Sequence, residues 1–280
     1  MRQSLIATIA VLGLVAAACG GDDDGGSASG DNCDATITDG VLTIATGEPA
    51  FPPYVVDNDP TNKQGFEAAV AWAIAAEMGY DDDSVKWVRT TFDEAIQPGA
   101  KNFDFNLQQY SISAERAQSV TFSDPYFTSN QAVVALNGSA ADGVTAIEDL
   151  RALKFGAQTG TTSLAFINDV IKPDQEAFVY DDNVAVKAAM EANQIDAAVF
   201  DLPTALYVSA VEIDNSSVVA QFPRSAGGAA DELGLVFEKD NPLVGCANSA
   251  IAAIKDSGEL DTITDTWMET GDVAPVIKVG

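Results

Sequence analysis

The pattern that most constrains this chain is an alternation of short apolar runs with longer helical ones, laid down once, broken off and laid down again. "LTIATG" (42–47) reads as a strand, and "GFEAAVAWAIAAEMGY" (65–80) as a helix in which Phe66, Val70, Ile74 and Met78 recur every fourth residue. "VKWVRT" follows as a strand, "FDEAIQPGAKN" as a short helix and turn, and "FDFNLQQYS" as a further strand running into a loop. Strand, loop and helix in that repeated order predict a mostly parallel sheet covered by helices. After "QAVVALNGS" the order restarts, with "KFGAQ" (154–158) as a strand, "TGTTSLAFINDVI" as a loop and helix, "NVAVKAAMEANQ" as a helix and "DAAVF" as a strand. These form a second α/β lobe. "LGLVFEKDNP" (233–242) then reads as a strand of a different kind, and "LVGCANSAIAAIKDSGELDTITDTWM" as two helices divided at Gly258.

A chain of 280 residues can bury a large core in one or two domains, and the broken alternation fits two. Fourteen Lys and Arg against 42 Asp and Glu leave a net charge of -28, which excludes nucleic acid as a partner because phosphates need a cationic patch. So much like charge reads as a solvated, mutually repelling surface rather than as a site. The absence of histidine removes Ser-His-Asp and Cys-His catalysis and the His-containing zinc sites. Cys19, Cys33 and Cys246 are too few and too scattered for a thiolate metal cage, and there is no Walker-type phosphate loop. Neither a metal nor a cofactor is expected.

The first residues form an address. "MRQSLIATIAVLGLVAAAC" begins with Arg2, runs through apolar residues from Leu5 to Val15 and ends in small ones, the three-part pattern of a secretory signal. Cys19, directly after Ala16, Ala17 and Ala18, resembles a bacterial lipobox cysteine that is acylated to become the mature N-terminus; the departure is Ala16, where that pattern more often has Leu. The acidic Gly/Ser stretch "CGGDDDGGSASGDN" then suits a flexible tether. Export to an oxidising compartment favours a bridge between Cys33 and Cys246. Such a bridge returns the C-terminal segment to the first lobe, so that two chain crossings make a hinge. The expected divisions are 1–18 signal peptide, 19–34 tether, 35–131 first lobe, 132–233 second lobe and 234–280 the return to the first.

Ligands of open parallel sheets bind beyond the carboxyl ends of the strands. After "LTIAT" comes "GEPAFPPY", with Glu48, Phe51 and Tyr54; after "FDFNL" comes "QQYSISAER", with Gln109, Ser111 and Arg116. After "KFGAQ" comes "TGTTS", with Gly160, Thr161 and Thr162, and after "DAAVF" comes Asp201. Each alone has a plain structural explanation, Glu48 as a solvated acid and Thr161 and Asp201 as helix caps. Together they supply a guanidinium, helix N–H groups, hydroxyls, a carboxylate and rings, which complement a free amino acid.

The chain resembles the extracytoplasmic solute-binding proteins of ABC importers, in the family that binds polar amino acids. The resemblance is carried by "TGEPAFPPY", "GFEAAVAWAIAAEMGY", "SISAERAQSVTFSDPYF", "GAQTGTTS", "IDAAVFDLPTALY" and "GELDTITDTWM", in the family's order over almost the whole mature chain. It implies a two-lobed α/β fold of the type II periplasmic-binding-protein kind, hinged by two crossing strands and closing over a ligand. It also implies that Arg116 binds the ligand carboxylate with Ser111 beside it, that Thr162 at the end of the "TGTT" loop is the partner from the opposite lobe, and that Asp201 receives the α-ammonium. Phe51 and Phe92 fall where aromatics sandwich the ligand side chain, and Glu48 falls where the family usually has Asp. Gln109 departs from the small residues common there and is expected to read a polar ligand group. Beyond the motif loops the loose cations are Arg89 and Arg224, so dicarboxylates are disfavoured and polar neutral or basic amino acids favoured.

The resemblance further implies a permease partner, a monomer tethered through Cys19 at the outer face of the cell membrane or in the periplasm, and binding without catalysis. Two alternatives remain at this point: a dehydratase on the same fold with Glu48 as acid, and a ligand sensor for a membrane receptor.

Overall fold

The computed structural model describes residues 33–223, 228, 230–268 and 275–279. The signal segment, the acylation site Cys19, nearly all of the tether and Arg224 lie outside the described residues.

Strand β1 (Leu42–Gly47) is buried along its whole length, and β2 (Val85–Thr90) and β3 (Phe105–Asn106) run parallel to it on either side. Helices α1 (Phe66–Glu77) and α2 (Phe92–Ile96) make the crossovers. Full burial of β1 explains why "LTIATG" carries apolar residues on both faces. Thr91 and Glu94 cap α2 reciprocally, each side chain meeting the other's backbone N–H. Helix α1 begins at Gly65, where φ is 99° and a Cβ would come within 2.5 Å of the Tyr54 carbonyl oxygen. That close approach requires glycine. It lets the loop after β1 lie against the start of α1. The short strands β4 (Thr121–Phe122) and β11 (Val236–Phe237) complete the sheet in the order β2-β1-β3-β11-β4.

The second sheet contains β5 (Phe127–Leu136), β6 (Phe155–Gln158), β7 (Phe178–Tyr180), β8 (Ala197–Asp201), β9 (Ser216–Phe222) and β10 (Ala230–Leu233). Its order is β10-β5-β8-β6-β7, with β9 also paired to β5. Helices α3 (Thr162–Phe166), α4 (Asn183–Glu191) and α5 (Leu202–Tyr207) follow β6, β7 and β8. The chain therefore forms a two-lobed α/β fold. Strands β7 and β9 go beyond the runs read from sequence, because three residues are too few to show a period and β9 opens on two serines.

Strand β5 links the lobes. Its first four residues pair with β10, and Gln131 to Ala135 are held between β8 and β9. Strand β10 returns antiparallel, and Leu233 bridges Ser111 in the first lobe just before β11. Helices α6 (Val244–Asp256) and α7 (Glu259–Trp267) then pack with α1 in the first-lobe core. The structure joins Cys33 to Cys246 of α6, with Cα atoms 5.2 Å apart. Tyr80 adds a hydrogen bond of 2.7 Å to the Cys33 carbonyl.

One expected division is corrected. Residues 234–280 are expected to stay with the first lobe, yet the end of the chain packs on the second. Gln221 of β9 donates to Pro275 O at 2.7 Å, Ile277 donates back to Gln221 O at 3.0 Å, and Ile277 is buried in the second-lobe core. The physical reason is that β9 lies at the outer side of its sheet, where an extended segment can hydrogen-bond along the strand.

Candidate functional site

The nine binding residues expected from sequence all line one cavity of about 370 Å³ between the lobes. Its size suits a small ligand. Arg116 stands in a single 3-10 turn (Arg116–Gln118) after β3 and is half-buried. Its Nη1 donates to Ser111 O and its Nη2 to Gly160 O of the second lobe, both at 2.8 Å, and its guanidinium carbon lies 5.2 Å from the centre of the Phe92 ring. Phe92 is fixed in turn by stacking on buried Tyr110 at 4.6 Å. Burial lowers the Arg116 pKa from its ordinary value. A guanidinium starts so high that it stays cationic.

From the second lobe, Thr161 caps α3 by accepting Leu164 N–H at 3.1 Å, and the Thr162 hydroxyl meets the Ser111 hydroxyl at 3.2 Å. Asp201 ends β8 and caps α5, its Oδ1 accepting Thr204 N–H at 3.0 Å and the Tyr54 hydroxyl at 2.7 Å. Burial pushes the Asp201 carboxyl up, against those hydrogen bonds that pull it down. An acid so placed is short of positive charge. Both Asp201 and Thr161 are thus helix caps and cavity residues at once.

Two sequence expectations change in detail. Gln109 reaches the cavity wall, but its side-chain Nε2 turns to the carboxylate of Glu67 at 2.5 Å, as does its backbone N–H at 2.7 Å. A polar group read from sequence as facing ligand is claimed by a buried acid, because unpaired burial costs several kcal/mol for a charge. Arg89 is equally committed: it donates to Gly47 O at 2.6 Å and Asn58 Oδ1 at 2.9 Å and lies 3.6 Å from Glu48. Glu48 is exposed and shared between Arg89 and Asn58.

Several lining residues escaped the sequence reading. Gln131 of β5 donates to Asp231 of β10 and, at 3.3 Å, to the Thr162 hydroxyl; it accepts the Ser163 hydroxyl at 2.9 Å. It stands at the head of the apolar run "AVVAL", after Ser129 and Asn130, so nothing in the sequence marked it. Asp93, Asp181, Asp182 and Asp231 add carboxylates to Glu48 and Asp201 around the cavity. Asp181 and Asp182 follow β7, the strand too short to be recognised. Among the described residues lining the cavity, Arg116 is the single cation. No group of three or more Cys, Asp or Glu side chains among the described residues is placed to hold a metal ion.

The family model for bacterial extracellular solute-binding proteins, family 3, matches residues 42–270. A protein of Campylobacter jejuni described as a probable histidine-binding protein is 29% identical, over 94% of this chain and 97% of its own length. An ancestral arginine-binding protein solved with arginine is 27% identical, superposes with a TM-score of 0.67, and is matched over 81% of this chain and 98% of its own. An ancestral amino acid-binding protein described as a precursor of cyclohexadienyl dehydratase, also 27% identical, gives a TM-score of 0.65 over 82% of this chain and 96% of its own.

Proposed function

Because the chain belongs to the bacterial extracellular solute-binding proteins of family 3, we propose that it captures an L-amino acid between its lobes, Arg116 taking the α-carboxylate and Asp201 the α-ammonium. The observation that carries this reading is that a guanidinium from the first lobe and a carboxylate from the second line the same cavity. A zwitterion pairs both at once, and contacts to both lobes are what stabilise closure. Phe51 and Phe92 supply apolar walls for the side chain, while Ser111, Thr161 and Thr162 offer hydroxyls and N–H groups to the carboxylate.

The side chain we favour is cationic. Once the ligand's carboxylate pairs with Arg116 and its ammonium with Asp201, five acids remain around the cavity, Glu48, Asp93, Asp181, Asp182 and Asp231. They attract arginine, lysine or histidine side chains, tolerate polar neutral ones and repel a second carboxylate. The histidine- and arginine-binding descriptions of the relatives point the same way. We read the protein as tethered through Cys19 outside the cell membrane, monomeric, and delivering its ligand to an ABC importer. It is a binding protein on this reading, and Glu48, exposed and paired with Arg89, is poorly suited to the acid step of a dehydratase.

A thermal-shift screen of the mature domain against the twenty L-amino acids, after stripping carried-over ligand, tests the reading. A ligand at about a hundred times its Kd adds about 2.7 kcal/mol of stability. Cationic amino acids raise the melting temperature most, and Arg116→Ala removes the rise with little effect on the unliganded melting temperature. A flat response to all twenty, or unchanged affinity in the variant, overturns it.

A further inference from the structure

Behind the cavity lies a carboxylate that the reading above does not use. Glu67 stands in the first turn of α1, 1% exposed, among apolar residues. Its Oε1 accepts the Tyr126 hydroxyl at 2.5 Å and the Gln109 backbone N–H at 2.7 Å, and its Oε2 accepts the Gln109 side-chain amide at 2.5 Å. These partners belong to the site and to the hinge. Gln109 is in the cavity wall with φ of 51°, a backbone state few non-glycine residues adopt, two positions before the Ser111 carbonyl that fixes Arg116. Tyr126 directly precedes β5, and its backbone N–H bonds Leu233 O on the returning strand at 2.9 Å.

We propose that Glu67 is a positioning residue whose ionised carboxylate holds the Gln109–Ser111 loop against the entry to the hinge, so that ligand affinity follows its charge. The inference rests on the amino-acid reading. An ionised carboxylate accepts charge-assisted bonds, about twice as strong as neutral ones, and a proton on Oε2, which takes a single bond, removes the charge that strengthens all three. The three bonds then weaken together, and the loop carrying Ser111 is held less firmly.

The titratable groups that face Glu67 are Tyr54, Tyr110, Tyr126 and Asp201, three phenols and one acid. Burial raises its pKa to about 7, against the hydrogen bonds from Tyr126 and Gln109, and Asp201 adds to the rise. An ammonium arriving at Asp201 favours the charged form of Glu67. Binding below neutral pH therefore expels a proton, and affinity grows as pH rises through 7 and then levels off.

Arginine is the probe, because its guanidinium stays charged throughout the window. Calorimetric titration of the wild type should give affinity on the order of tenfold tighter at pH 7.5 than at 5.5, with proton release at pH 6.5 when two buffers of different ionisation enthalpy are compared. Glu67→Gln should bind more weakly at pH 7.5 and lose that slope. Arginine binding by the wild type with no slope and no proton release overturns the proposal alone, as does a variant that keeps the wild-type slope. If that variant does not fold, Tyr126→Phe, which removes a donor that holds the Glu67 pKa down, should move the affinity slope to higher pH, and an unmoved slope overturns the proposal. Failure of the wild type to bind any amino acid at any pH overturns the amino-acid reading and this proposal with it.

Discussion

Asp201 holds two roles that a substitution can separate. As the cap of α5 it accepts Thr204 N–H, and as a cavity acid it awaits a cation. Asn caps a helix about as well as Asp but carries no charge. Asp201→Asn should therefore leave the melting temperature within a few degrees while weakening arginine at least tenfold; Asp201→Ala should cost both. Equal affinity in Asp201→Asn, measured by calorimetry, would assign the residue to the cap alone. Glu67 makes a second residue-scale prediction. Its native pKa of about 7 lies above the ordinary value, so the native state holds more protons than the unfolded chain between those two values. Stability contributed by this group therefore falls as pH rises across that window, and Glu67→Gln should show a flatter melting-temperature profile from pH 4.5 to 7.5 than the wild type. At this scale the loop residues were legible in combination only, since Thr161 and Asp201 taken singly read as helix caps, and it was their joint occurrence with Arg116 after successive strands that pointed to one cavity. Glu67 was not, because one acid in the first turn of a helix is ordinary until its burial is known.

At the scale of elements, the disulfide joins the first described residue of the chain to α6, and it closes a segment of 213 residues. Cross-linking so long a loop restricts the unfolded chain and contributes about 2–4 kcal/mol in typical cases. Reduction should lower the melting temperature of the purified protein by several degrees, as read by calorimetry with and without reductant; no change would mean that packing of Cys33 against the first-lobe core suffices. The order of β1, α1, β2, α2 and β3 followed from period and turn residues, which are local. Strand β3 shrank to two residues and β9 was not foreseen, because strand extent depends on which neighbour supplies hydrogen bonds.

For the whole molecule, charge is the property that matters beyond the site. The full chain carries a net charge of -28, and the described residues that line the cavity include six carboxylates and one arginine. Long-range attraction of a cationic ligand is screened over about 8 Å at physiological ionic strength and about 3 Å at 1 M. Association of arginine should slow, and its affinity fall, as salt rises, while a neutral amino acid such as glutamine changes little. Equal salt dependence for both in stopped-flow fluorescence would remove the acids from the recognition of the side chain.

Apolar periodicity and turn chemistry, which act over a few residues, were enough to specify the two α/β lobes, the order of β1, α1, β2, α2 and β3, and the polar loops at the strand ends. The tertiary structure alone decided which partner each polar group takes. Gln109 turns to Glu67, Arg89 to Glu48 and the loop around Asn58, and Ile277 to the second lobe. Those choices join positions 42, 41 and 31 residues apart in the three polar pairs and cross from one lobe to the other at Ile277. A buried charge or a free strand edge takes the nearest group able to satisfy it, and that group is set by the packed fold rather than by its neighbours in the chain.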